Sequence, residues 1–156
     1  MVAVSNTSPI SNLAIIGRLG LVPSVVRQEL SRLRDSAAAS VIGAAFADGW
    51  LRVTPLHGAV PREIADGLHL GEAEAIALAS EHRAVLVLLD DGDARQRAAE
   101  IGLRIIGVLG ILLRAKQDGY ISSLREEIRR LREDAHFFVA PKLESELLVA
   151  AGEMPA

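Results

Sequence analysis

The chain has 156 residues, half of them apolar, with 3% aromatics, no cysteine and a net charge of -3. This length supports a sizeable core built mainly from Ala, Val, Ile and Leu, which favours helices packed closely on a sheet over an aromatic-rich β architecture. Disulfides and thiolate metal sites are excluded. The charge gives no global attraction to nucleic acid, and no apolar stretch approaches the ~18 residues of a membrane span.

One domain over residues 1–156 in a cytoplasmic setting is the expectation. Met1 to Ser5 lacks the basic run of a signal peptide. Val2 to Val4 reads as a short buried strand. It runs into Ser5-Asn6-Thr7-Ser8-Pro9, a helix start in which Ser8 is placed to cap and Pro9 to occupy the first helical position. That helix should stop near Gly17. Pro23 opens a second helix, with Val25, Val26, Leu30 and Leu33 on one face. Residues 37–47 are Ala-rich and helical, Trp50 to Val53 reads as a strand, and residues 56–70 as loop or weak helix.

Gly71 to His82 has strong helix propensity. Ala84 to Leu89 is an unbroken apolar run before Asp90, the pattern of a parallel strand covered on both faces. Asp91 to Ile101 reads as a helix ending at Gly102, and Leu103 to Val108 as another strand. Helices follow at 110–117 and 122–132, the latter with a capping-box spacing between Ser123 and Glu126. Pro141 starts a last helix with Leu143, Leu147, Leu148 and Ala151 on one face. The sum is an α/β sandwich with a short parallel sheet.

In such a sheet, ligands sit outside the carboxyl ends of the strands. Two of those ends are polar: Ser5-Asn6-Thr7-Ser8 and Asp90-Asp91-Gly92-Asp93. Oxygen donors gathered there suit a hard cation such as Mg²⁺ or Mn²⁺. Each group also has a plainer account. Acidic residues favour the first turn of a helix through its dipole, and Asn6 to Ser8 are ordinary capping residues. Glu72 and Glu74 can be first-turn charges, and Glu29 an exposed helix residue.

Five blocks in order carry a resemblance. Val4-Ser5-Asn6-Thr7-Ser8-Pro9-Ile10 resembles the opening strand and turn of PIN-like proteins, and Val22 to Leu30 their proline-led helix with an acidic residue. Leu70 to Ala79 resembles the helix presenting a third acid, and Leu88 to Arg95 the strand end carrying a fourth. Gly102 to Leu112 is similar to the tail of one subgroup, the small prokaryotic PIN-like proteins of the DUF3368 type, related to toxins of toxin–antitoxin pairs. The resemblance runs from Val2 to about Leu148 and implies a PIN-like three-layer α/β/α sandwich.

The resemblance also implies a nuclease site holding one or two divalent cations. Asn6, Glu29, Glu72 and Asp90 take its four acidic positions, with Mg²⁺ or Mn²⁺ as cofactor. Asp91 or Asp93 would assist, Thr7 or Ser8 matches a hydroxyl position, and Glu74 aligns less well than Glu72. The chain departs from the family at Asn6, where Asp is usual. An amide oxygen can ligate a cation but brings no charge. The reading is therefore a metal-dependent endoribonuclease, or alternatively a PIN-like module with weak or no activity that acts through RNA or protein contacts.

Partners implied by the resemblance are single-stranded or structured RNA, a small antitoxin protein and a second copy of the chain. Residues 36–47 and the last helix could serve as dimer surfaces or as core. Arg95 and Arg97, directly after the acidic run, are placed to meet a phosphate. Arg125, Arg129, Arg130 and Arg132 alternate with Glu126, Glu127 and Glu133, which reads as a solvated, ion-paired face. His57, His69, His82 and His136 show no metal-ligand spacing and read as scattered surface histidines. A haloacid-dehalogenase-like phosphatase would also place an Asp-Gly-Asp after a strand, but the chain beyond Asp93 is too short for that family's core.

Overall fold

The computed structural model describes residues 3–19, 36–49, 52, 54–84 and 86–155. The expected helix from Pro23, with Glu29, lies outside the described residues, as does most of the expected strand at 50–53.

Among the described residues three strands form one parallel sheet in the order β1 (Ala3–Ser5), β2 (Leu86–Leu88), β3 (Ile105–Ile106). Ser5 lies opposite Leu88, and Leu88 opposite Ile106. Period-two alternation then assigns side chains to two separate cores. Ala3 and Leu88, with Ile106 at the margin, face one layer of helices. Val4, Val87 and Leu89, with Ile105, face the other.

The first layer holds α1 (Thr7–Ile15), α2 (Ser36–Ala47), α6 (Val108–Gln117), α7 (Leu124–Asp134) and α8 (Pro141–Ala150). Its core is aliphatic: Ile10, Leu13, Leu112, Leu124, Ile128 and Leu131 are almost fully buried. The second layer holds α3 (Arg62–Ala65), α4 (Leu70–Glu81) and α5 (Gly92–Glu100). Here small residues do the packing. Ala73, Ala77, Ala94 and Ala98 are buried, and their short side chains let α4 and α5 approach the sheet. The chain is thus the three-layer α/β/α sandwich expected.

Several boundaries differ from the sequence reading. α1 starts at Thr7, with Asn6 as its N-cap, so Ser8 is not the cap and Pro9 lies within the first turn. Proline is tolerated there because first-turn amides have no intrahelical acceptor. β3 is only two residues long and α6 begins at Val108, where the expected strand was to end. The segment 56–70, expected as loop or weak helix, is loop with the one-turn helix α3. Leu143 of α8 is 42% exposed, whereas Leu148 is buried.

Two polar clusters tie the first layer together. Glu127 is buried on α7 and pairs with Arg18, just beyond α1, and with Arg130. The expected ion-paired face of α7 is present in Arg129 with Glu126 and Glu133, and in Arg132 with Glu144. At the start of α7, Ser123 Oγ accepts from the Glu126 amide. Glu153, from beyond α8, accepts from the Leu124 and Arg125 amides at 2.6 and 3.0 Å. A residue distant in sequence thus supplies a helix cap.

Candidate metal site at the carboxyl edge of the sheet

β1 and β2 are adjacent and parallel, so both deliver the residues that follow them to one edge. Asn6 follows β1 directly, and its amide donates to the Leu88 carbonyl. Asp90 follows β2 by two residues. α4 ends at Glu81, a few residues before β2 begins at Leu86, so the N-terminal end of α4, with Glu72, lies toward the same edge.

Asn6 is 7% exposed. Asn at an N-cap ordinarily turns its side-chain oxygen onto the first free amides of the helix. Asn6 makes no such cap bond. Its Oδ1 is buried and has no hydrogen-bond partner among the described residues. Burying an amide oxygen unpaired costs on the order of 1–3 kcal/mol, so this orientation is maintained against a ready local alternative. Ser5 Oγ meanwhile donates to the Asn6 carbonyl at 2.7 Å and holds the backbone in place.

Asp90 shows the same feature. Its Oδ1 accepts from the Val108 amide at 2.7 Å, so the carboxylate stands at the N-terminus of α6, where the helix dipole favours negative charge. The cap position itself is Gly107, which has no side chain to do this. Asp90 Oδ2 is buried without a partner among the described residues. Burial pushes the Asp90 carboxyl above the usual carboxylate range, against the opposing pull of the Val108 amide, the Arg95 charge and the Asn12 side chain. Asn12, on α1, faces this carboxylate without completing a bond of ordinary geometry to Oδ2.

Gly107 makes the arrangement sterically feasible. A Cβ there would lie 2.7 Å from Arg95 Nη1, 2.9 Å from Asp90 Oδ1 and 3.2 Å from the Leu89 carbonyl oxygen. Arg95 and Asp90 therefore approach over a bare backbone.

The remaining expected residues sit as follows. Glu72 is half-buried in the first turn of α4 and accepts from the His69 amide at 3.2 Å. Glu74 is exposed. Asp91 caps α5, its Oδ1 accepting from the Ala94 amide at 3.0 Å. Asp93 is exposed in the first turn of α5, in a surface depression with Asp66, Gln96 and Arg97. Thr7 is half-buried and Ser8 exposed. Arg97, expected to meet a phosphate, instead donates to the Glu63 and Asp66 carbonyls and clamps the α3–α4 connection.

Among the described residues, Glu72, Asp90, Asp91 and Asp93 do not converge as a carboxylate triad. The group of three ligand-bearing side chains within 4.8 Å is His57, Glu81 and His82, at the opposite end of α4. Sequence reading missed Gly107, Asn12 and the Val108 amide. None carries a local signal, since each matters only through what tertiary packing brings to it.

A donor set of one amide oxygen and one carboxylate oxygen, both buried and unpaired, fits a hard divalent cation better than a softer metal. The profile of a family described as DUF3368: PIN domain matches residues 2–153. No curated protein matches the chain.

Proposed function

The chain belongs to the PIN-domain family, whose fold is of nuclease type and whose members generally use divalent metals, and from that premise we propose that it is a Mg²⁺- or Mn²⁺-dependent endoribonuclease. The observation that carries this reading is the pair of buried oxygens, Asn6 Oδ1 and Asp90 Oδ2, that have no partner among the described residues. Buried oxygen acceptors without a donor, at the carboxyl edge of a parallel sheet, have the chemistry that a hard cation takes as ligands.

In this reading Asp90 and Asn6 hold the cation, with Glu72 and Glu29 as the further acidic ligands and Asp91 and Asp93 in support. A cation bound there would supply a more acidic water and stabilise charge on a phosphodiester. The protein's own groups do the rest. The Val108 amide fixes Asp90 Oδ1, which leaves Oδ2 to the cation. Arg95, beside Asp90, offers a guanidinium to a phosphate oxygen. Thr7 and Ser8, which follow the neighbouring strand β1 at the same edge, contribute hydroxyls. RNA is the proposed substrate.

Purified protein should cleave single-stranded RNA in Mn²⁺, and Asp90→Asn should reduce this to background. Equal cleavage by both proteins would trace the activity to a contaminant and end the proposal. The neutral Asn6 favours a second reading, a binding module of the same fold without catalysis, with an antitoxin or a second copy of the chain as candidate partners. Calorimetric titration with Mn²⁺ separates the two, because the module predicts no heat of binding.

A further inference from the structure

We infer that His57, Glu81 and His82 form a second metal site, for Zn²⁺ or a similar borderline cation, that clasps the loop before α3 to the C-terminal end of α4. One ligand atom from each of the three lies within 4.8 Å of the other two. His57 Nδ1 is 3.2 Å from Glu81 Oε2. That is close to the ~3.3 Å edge of a tetrahedron with zinc bonds of about 2.0–2.1 Å. The His57 and His82 ring centroids are 6.0 Å apart, tilted by 39°. The His82 ligand atom lies within 4.8 Å of the other two, and the exposed imidazoles of His57 and His82 have room to turn.

The ligand chemistry differs from that of the carboxyl edge. Two imidazoles and one carboxylate select zinc, nickel, copper or cobalt over Mg²⁺ and Mn²⁺, and leave a fourth position for water. The backbone presets the arrangement. His82 is the C-cap of α4, and Arg83 turns the chain in the left-handed region at φ 47°. The Arg83 and Ala84 amides return to the Ser80 and Ala79 carbonyls, which closes the helix end. The His57 amide donates to Glu81 Oε2 at 3.1 Å, which holds the loop over that end. The same contacts keep the Glu81 carboxyl below the usual carboxylate range, with the backbone bond from His57 as the largest cause. The negative end of the α4 dipole also favours a cation here.

The cluster is independent of the proposed nuclease chemistry. Glu72 and Glu81 are nine residues apart on one helix, about 14 Å at 1.5 Å per residue.

The test is calorimetric titration of tag-free, metal-stripped full-length protein with Zn²⁺, alongside Co²⁺ absorption. Wild type should bind one Zn²⁺ at this cluster and give the intense visible bands of a low-coordinate Co²⁺ site. His57→Ala and His82→Ala should each weaken binding by at least about tenfold and abolish the bands. Asp90→Asn should leave Zn²⁺ binding and the bands unchanged while losing Mn²⁺ binding, so the two sites fail separately. Circular dichroism of the exposed histidine variants should match wild type, which excludes misfolding as the cause. Zn²⁺ binding that is absent in wild type, or unchanged in the His57→Ala/His82→Ala double variant, overturns the inference.

Discussion

Replacing Gly107 by alanine adds one methyl group where the end of β2, the start of α6 and the Arg95 guanidinium meet. Gly107 has an extended backbone (φ -103°, ψ 176°), so alanine suffers no torsional penalty. By limiting the unfolded chain it would contribute about 0.4–1 kcal/mol of stability at an open site. The site is not open. The new Cβ falls 2.7 Å from Arg95 Nη1 and 2.9 Å from Asp90 Oδ1, and the Leu89 carbonyl at 3.2 Å is backbone directly after β2, tied to Ile106 through the Leu89 amide. The guanidinium can swing outward, but Asp90 Oδ1 can retreat only by lengthening its 2.7 Å bond to the Val108 amide.

A hydrogen bond to a charged group contributes about 1.5–3 kcal/mol, so the net loss after the backbone gain should be about 0.5–2.5 kcal/mol. That corresponds to a fall of roughly 1–10 °C in melting temperature for a chain of this size. Thermal unfolding in EDTA reads the stability, and Mn²⁺ titration reads the site, where affinity should drop at least about tenfold because a displaced carboxylate no longer presents Oδ2. Gly110→Ala is the control, since its Cβ meets only the Ile106 side chain, at 2.8 and 3.5 Å. It should lower stability and leave Mn²⁺ affinity intact. A Gly107→Ala protein that melts and binds Mn²⁺ like wild type would refute the whole account of how Asp90 is seated.

Asn6→Asp places a second buried carboxylate at this edge. In EDTA it should lower the melting temperature, since an unpaired buried charge costs several kcal/mol at most and at least about one; in Mn²⁺ it should bind more tightly than wild type. Equal Mn²⁺ affinity would remove Asn6 from the ligand set. Glu153→Gln should cost about 1–2 kcal/mol, read by urea unfolding, because it weakens the cap of α7 and the 3.3 Å contact to Lys116. Glu153 is held below the usual carboxylate range: burial opposes this, but the Arg125 and Leu124 amides, Lys116 and Ser123 outweigh it. Its contribution is therefore complete above the ordinary carboxylate value near pH 4.5 and disappears as pH falls through the lowered native value. The stability difference between wild type and Glu153→Gln should shrink in that acid window. Ile76→Ala, at a fully buried position facing the alanine-rich layer, should destabilise by about 2–5 kcal/mol without changing Mn²⁺ affinity in the folded protein.

Much of the fold was legible because the signals are local. The apolar run ending at Leu89 fits a strand covered on both faces, and the scarcity of aromatics pointed to close packing of small aliphatic residues. The ends of β1 and β2 were legible as the polar edge for the same reason: Asn6 and Asp90 are where apolar runs stop. Within Asp90-Asp91-Gly92-Asp93 the local pattern does not separate the three carboxylates, and only the family resemblance singled out Asp90. Asp91 caps α5 and Asp93 faces a surface depression, whereas Asp90 is drawn inward by an amide 18 residues away. Glu127 looked like its exposed neighbours, yet it is buried against Arg18 across 109 residues of chain. The His57–Glu81–His82 cluster was hidden in the same way, since 24 residues separate its loop from its helix.

The two unpaired oxygens at the sheet edge also bear on how this protein can be improved. A selection for thermal tolerance alone would remove them, because any neighbour that donates a hydrogen bond to Asn6 Oδ1, or any neutral residue replacing Asp90, relieves local frustration. Asp90→Asn should accordingly melt higher than wild type in EDTA and lower than wild type in saturating Mn²⁺, where only the wild type gains from ligand binding. That crossing of the two melting curves is the signature of a position kept for activity at the expense of robustness.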